Sequence, residues 1–131
     1  MRLARIIRYV PNVAASAEFY ARAFGLTQRG MIGEDFIAME TGDTVLTFAR
    51  EGFVSQETGL EFTLSRPEAP PSPQDIVFEV ADVAGAHGDA LAAGGTEVSA
   101  PMDKPWGQIV SYLRDPDGAL IQLCSPLPDT L

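Results

Sequence analysis

The side chains able to do chemistry in this sequence are few and far apart. His87 is the only histidine and Cys124 the only cysteine, so neither an internal disulfide nor a Cys/His zinc cluster is available. His87 falls at helical spacing between Val83 and Leu91 on an apolar stripe, where a histidine packs against its neighbours more often than it binds a metal. Ser16, Ser65, Ser72 and Ser111 lack a Gly-x-Ser-x-Gly setting, and none is expected to have a histidine partner for nucleophilic catalysis. Asp115 and Asp117 lie in Asp115-Pro116-Asp117-Gly118, a sequence suited to a turn rather than to an acid–base pair. Gly94-Gly95 ends a helix and opens no phosphate loop, so dinucleotide and P-loop binding are not expected. Aromatic side chains remain. Trp106, in Lys104-Pro105-Trp106-Gly107, suits either the wall of a binding site or a loop anchor, and Tyr112 is equally balanced.

Charge narrows the partners. Eighteen acidic against nine basic residues give a formal charge of −9 and a pI near 4.4. That balance disfavours a phosphate backbone, so nucleic acid is not an expected partner. A cationic small molecule is favoured at long range, although an acidic surface also serves solubility alone. The chain of 131 residues has the length of one domain and can bury a core without metal or disulfide. The opening apolar run is broken by Arg5 and Arg8, unlike a signal sequence, and no run of about 18 apolar residues suggests a membrane span. A soluble cytoplasmic protein with no membrane partner is expected.

The elements that must position these residues occur twice. Shifting the chain by 70 residues lays Ile6–Gly25 on Ile76–Gly95 without a gap, with six identities in 20 pairs. In each copy an apolar, β-branched run ends at a capping residue, Asn12 or Asp82. About a dozen helix-compatible residues follow, stopped by Gly25 or Gly95. The period then becomes two. Phe36–Glu40 and Thr44–Ala49 form one predicted hairpin, Gln108–Leu113 and Ala119–Cys124 the other, and weaker strands lie near Thr27–Ile32 and Thr96–Ala100. The fold class expected is α+β, with two βαβββ modules forming a curved mixed sheet around a cleft. A single domain would then hold module one at about 3–65, a proline-rich linker at 66–74 and module two at about 75–126. Arg50–Ser65 carries apolar residues without a clean period and receives no element; Phe53 and Phe62 within it suit either lid or core.

Two motifs embedded in this repeat carry a family resemblance. Val10-x-Asn12-Val13-x-x-Ser16-x-x-Phe19-Tyr20-x-x-x-Phe24-Gly25-Leu26 and Pro105-Trp106-Gly107-Gln108-x-x-x-x-Leu113-Arg114-Asp115-Pro116-Asp117-Gly118-x-Leu120-Ile121-Gln122-Leu123 resemble the vicinal oxygen chelate superfamily. That group includes glyoxalase I, extradiol dioxygenases, and fosfomycin- and bleomycin-resistance proteins. Its enzymes hold a divalent metal with one residue from each of four strands. The resemblance places those positions at Arg5 and Asp75, seven residues before each cap, and at Leu46 and Gln122, four residues after each hairpin glycine. Arginine stays protonated and leucine has no lone pair, so no metal cofactor is expected.

The resemblance is then closest to the metal-free bleomycin-resistance branch. It implies a homodimer that binds a small aromatic or cationic organic molecule and sequesters it without turnover. The expected cleft residues are Arg5, Leu46, Phe48, Asp75, Trp106, Tyr112 and Gln122, with Phe48 added because it shares a strand face with Leu46. Two alternatives are a metal-dependent lyase or dioxygenase of the glyoxalase type, and a cofactor-free enzyme using Asp75 as general base. Phe19, Tyr20 and Phe24 are expected in the core.

Overall fold

The computed structural model describes residues 1–127. The chain divides into two compact units, the first ending at Ser65 and the second beginning at Arg66. The first runs β1 (Arg5–Val10), α1 (Val13–Phe24), β2 (Thr27–Ile32), β3 (Phe36–Glu40), β4 (Val45–Arg50) and α2 (Glu51–Thr58). The second runs β5 (Asp75–Glu79), α3 (Val83–Ala92), β6 (Thr96–Asp103), β7 (Ile109–Arg114) and β8 (Leu120–Cys124). Each unit builds a four-stranded mixed sheet, ordered β1-β4-β3-β2 in one and β5-β8-β7-β6 in the other. The first strand of each lies parallel to the last, and the remaining pairs are antiparallel. The two predicted βαβββ modules are therefore present. No helix among the described residues is long and apolar enough to cross a membrane.

Both long helices start as their caps require. The Asn12 side-chain oxygen accepts from the Ala15 N–H at 3.0 Å, and Asp82 accepts from the Gly85 N–H at 3.0 Å, each satisfying a donor that the first helical turn cannot. Their ends differ. Gly25 takes a left-handed conformation at φ 71° and stops α1 as expected. At the end of α3 it is Gly94, at φ 122°, that turns the chain. Gly95 is needed for a different reason: a side chain there would meet the Ala90 carbonyl and Leu113 Cδ1 at 3.0 Å each.

The two cores are made of different material. Under α1, Tyr20 packs on Phe48 with ring centroids 5.0 Å apart, and Phe19 meets Tyr20 and Phe24 edge-on at 5.4 and 5.7 Å. Aromatic pairs of this kind add about 1 kcal/mol each beyond the area they bury. The expectation that these helix aromatics are core holds for Phe19 and Tyr20, which are buried, and Phe24 is half-buried. Under α3 the helix is small-sided, and Val83 and Ala90 lie over Leu113, Ile121 and Leu123. A polar chain completes that interface. His87 is buried, with Nδ1 2.9 Å from Ser111 Oγ and Nε2 2.8 Å from Glu97 Oε1. Because a carboxylate only accepts, Nε2 donates to Glu97, and the Ser111 hydroxyl, which can donate or accept, matches Nδ1 in either ring form.

Two segments without predicted elements have clear places. Arg50–Ser65 contains α2, which follows β4 directly and ends at Gly59 with φ 68°. Phe53 packs edge-on against Phe36 at 5.4 Å, and Phe62 packs against Tyr9 at 4.9 Å. The proline-rich connector is not helical, as expected, and its backbone is held by Arg114. That guanidinium donates to the carbonyls of Ala69 at 2.6 Å, Pro67 at 3.2 Å and Arg66 at 3.3 Å, and its Nε donates to Gly118 at 2.8 Å. Asp115 serves the turn as expected, accepting from the Asp117 and Ala119 N–H groups at 2.9 and 2.8 Å. Gly118, at φ 91°, lies so close to the Arg66 carbonyl that no side chain fits.

Candidate functional site

In the first unit the site is a groove on the sheet face turned away from α1. Side chains alternate along a strand, and the pairing register carries that alternation across the sheet. One row reads Ile7, Thr47, Ala38, Gly30 from β1 to β2, and the next reads Arg5, Val45, Glu40, Thr27. The middle row shrinks from a branched hydrocarbon to no side chain at all, and that taper opens a groove of about 580 Å³. Ile7, Phe36, Ala38 and Ile32 supply an apolar floor, with Thr47 as the hydroxyl within it. Phe53 of α2 meets the floor residue Phe36 edge-on.

Two guanidinium groups line this groove. Arg5 stands on edge strand β1 and is exposed, and among the described residues it has no ion-pair or hydrogen-bond partner. Arg29 stands on the opposite edge strand β2, at an irregularity in the register between Gln28 and Gly30. Its Nε lies 3.3 Å from Glu40 Oε1, and both side chains are about half exposed.

The sequence placed Leu46 and Phe48 in a cleft, and the structure corrects this. Both are buried on the opposite face, beneath α1, where Phe48 touches Tyr20. The physical cause is the hairpin loop. Gly42 is the second of four residues between Glu40 and Val45, whereas Gly118 is the fourth of five between Arg114 and Leu120. Counting the same distance from each glycine therefore slips the first hairpin by one residue, and a one-residue slip turns a side chain to the other face. Thr47, paired with Ile7, is the counterpart of Gln122, paired with Val77. Phe48 does share a face with Leu46, but that face is the core.

In the second unit Asp75, Val77 and Glu79 on β5, Gln122 on β8 and Tyr112 on β7 share the face turned away from α3. Their strand neighbours Ile121, Leu123 and Leu113 are fully buried beneath that helix. Tyr112 is paired with Gln122 and both are half-buried, while Asp75 is exposed. Trp106 is 50% exposed, and its indole N–H donates to Gln108 Oε1 at 2.7 Å. Gln108 in turn donates to the Ser125 carbonyl at 2.7 Å, so Trp106 is tied to its own loop while offering a ring face to solvent. Cys124 is buried, and burial together with the nearby Glu79 charge pushes its thiol up, against a lowering hydrogen bond from Gln108. It is a protonated core thiol rather than a nucleophile.

One expectation about serine chemistry also needs correcting. Ser111 does have a histidine partner, and with Glu97 the trio has the connectivity of a hydrolytic triad. Ser111 is completely buried beneath α3, so no substrate can reach its hydroxyl. The trio joins helix to sheet.

The donor set does not suit a resident divalent metal. The face positions hold Arg5 and Thr47 in the first unit, and Asp75 and Gln122 in the second. A guanidinium repels a cation and binds none, and one carboxylate with one amide oxygen falls far short of the shell a hard cation takes. No group of three or more His, Cys, Asp or Glu side chains among the described residues is arranged to hold a metal.

No curated protein matches the sequence. Among solved structures, a glyoxalase-related enzyme from Fulvimarina pelagi is similar at a TM-score of 0.83 and 24% identity, over 96% of this chain and 88% of that one. A glyoxalase/bleomycin resistance protein/dioxygenase family enzyme from Burkholderia phytofirmans PsJN gives 0.82 and 20%, over 97% and 100% of the two chains. A lactoylglutathione lyase from Agrobacterium tumefaciens gives 0.71 and 17%, over 95% and 92%. These likenesses establish a shared fold. Sequence adds what fold cannot: a family-level match covers residues 2–123, nearly all of both modules, and the chain belongs to the Glyoxalase/Bleomycin resistance protein/Dioxygenase superfamily.

Proposed function

We propose that the protein binds and sequesters a small, flat organic molecule without a resident metal, in the manner of an antibiotic-binding resistance protein. The observation that carries this is the first unit's groove, whose apolar floor is flanked by arginine where a metal ligand would stand. An apolar cleft with a few convergent polar groups is the usual form of a small-molecule site. The absence of carboxylate or imidazole at Arg5 and Thr47 argues against the metal-dependent lyase or dioxygenase chemistry found elsewhere on this fold. Asp75 as a general base is the weaker reading, because its carboxylate is exposed on strand β5 rather than enclosed in a cleft.

The same proposal includes a two-fold homodimer in a reducing, cytoplasmic setting. Edge strand β2 is exposed along its whole length, with Met31 and Ile32 60% and 72% exposed, and such an edge invites pairing. The single cysteine is buried and free, as in a protein that does not rely on disulfides.

The experiment is a binding screen with aromatic probes against the wild-type protein and Ala38→Trp, which fills the groove from its floor. The expected result is saturable binding that Ala38→Trp abolishes while circular dichroism stays native. Binding that survives Ala38→Trp would move the site elsewhere. Elemental analysis finding about one divalent metal per chain, lost in Asp75→Ala or Gln122→Ala, would replace the proposal with the metal-dependent enzyme. Light scattering at micromolar concentration reads the dimer, and a 14.0 kDa particle would exclude it.

A further inference from the structure

The formal charge of −9 favours a cationic ligand at a distance, but the groove's own side chains point the other way. Resting on the proposed groove, we infer that its ligand is an organic anion: a flat apolar body bearing one acidic group, met by Arg5 and steadied from the far rim by Arg29. The strand order β1-β4-β3-β2 places these arginines on opposite edges of the sheet. Three strand spacings put their backbones about 14 Å apart, the length of a two-ring aromatic with a polar substituent. Between them lie Ile7, Thr47, Ala38 and Phe36, a floor that rewards a flat hydrocarbon and offers one hydroxyl.

Charge on this face decides the sign. Glu40 is the only carboxylate in the rows that cross it, and it is already engaged by Arg29 at 3.3 Å. Arg29 is thus oriented and largely neutralised by a rim carboxylate. Arg5 has no such partner among the described residues, so the face carries one uncompensated positive charge. A ligand in the groove lies within a few ångströms of Arg5. Arg5 lines the groove itself, and at physiological salt charges farther away than the Debye length of about 8 Å are largely screened, so the local guanidinium sets the sign. A planar guanidinium can also give two parallel hydrogen bonds to a carboxylate or sulfonate. A cation in the same place would face Arg5 at close range with only an occupied Glu40 to receive it.

The test uses two probes that share an aromatic body and differ in charge: anilinonaphthalene sulfonate, which is anionic, and N-phenylnaphthylamine, which is neutral. Both are titrated by fluorescence against the full-length protein, Arg5→Gln, Arg5→Lys and Ala38→Trp. The anion is expected to bind about tenfold more tightly than the neutral probe, and Arg5→Gln to lose about that factor for the anion alone. Arg5→Lys should recover part of it, and added salt should weaken only the anion. The inference is overturned if the neutral probe binds as tightly as the anion, or if Arg5→Gln weakens both probes equally or neither. Failure of the groove reading itself has a different signature: neither probe binds, or both still bind to Ala38→Trp.

Discussion

The two units share one topology and almost nothing of what fills it. The first packs α1 on its sheet through Phe19, Tyr20 and Phe48. The second packs the smaller α3 through short aliphatics and the His87–Ser111–Glu97 chain. On the faces turned away from the helices the contrast is one of charge. Arg5 and Asp75 hold equivalent places in the repeat, as do Tyr9 and Glu79. A βαβββ frame thus constrains which strand positions reach that face and leaves the chemistry there open, which is why shared fold alone does not name a function.

The largest expected effect tests the material of the two cores. Phe48→Ala should destabilise the protein by about 3–5 kcal/mol in denaturant unfolding, as deletion of a fully buried aromatic does. A change under about 1 kcal/mol would put Phe48 back on the exposed face. In the second unit His87→Ala should cost about 2 kcal/mol, because Ser111 is left buried with a lost partner. His87→Phe, which keeps volume but not hydrogen bonding, should fail to recover most of that loss. Full recovery would mean that packing alone matters there.

A smaller effect separates the units by pH. The buried Cys124 holds its proton more tightly in the folded chain than in the unfolded one, whose thiol has its ordinary value of 9.0. The stabilisation is full below that value and is lost as pH rises through and above it. Cys124→Ala should therefore flatten the alkaline fall in stability, and alkylation of the native thiol at about pH 8 should be slow. Rapid alkylation under native conditions would contradict its burial. The smallest effect on stability belongs to Arg5. Arg5→Gln should shift the unfolding free energy by no more than about 0.5 kcal/mol while changing anion binding, since an exposed side chain with no partner among the described residues contributes little to folding. A larger loss of stability would make Arg5 a structural residue and weaken the contrast with Asp75.

Much of this was legible in the residues themselves. The 70-residue repeat, both caps and the two hairpins are local signals, written in side chains that act on their own neighbours in the chain. The acidic turn at Asp115 was readable for the same reason. The α2 segment was not, because Glu51–Thr58 has no apolar stripe of its own. Its Phe53 and the Phe62 beyond it are placed by Phe36 and Tyr9, which lie far away in sequence.

The same division runs through the site. Counting from caps and glycines assigns Arg5, Asp75 and Gln122 to the sheet faces turned away from the helices, since those distances lie within one strand or one loop. The exchange of Leu46 for Thr47 could not, because it depends on which β4 residue pairs with Ile7 on β1, across the intervening helix and hairpin. The pairing of Ser111 with His87 is likewise decided by how α3 lies on β7. Elements, their order and the available charges follow from local side-chain signals along the chain. Which face each side chain serves depends on packing in three dimensions, because a strand's register is settled by its neighbours in space and a shift of one residue reverses it.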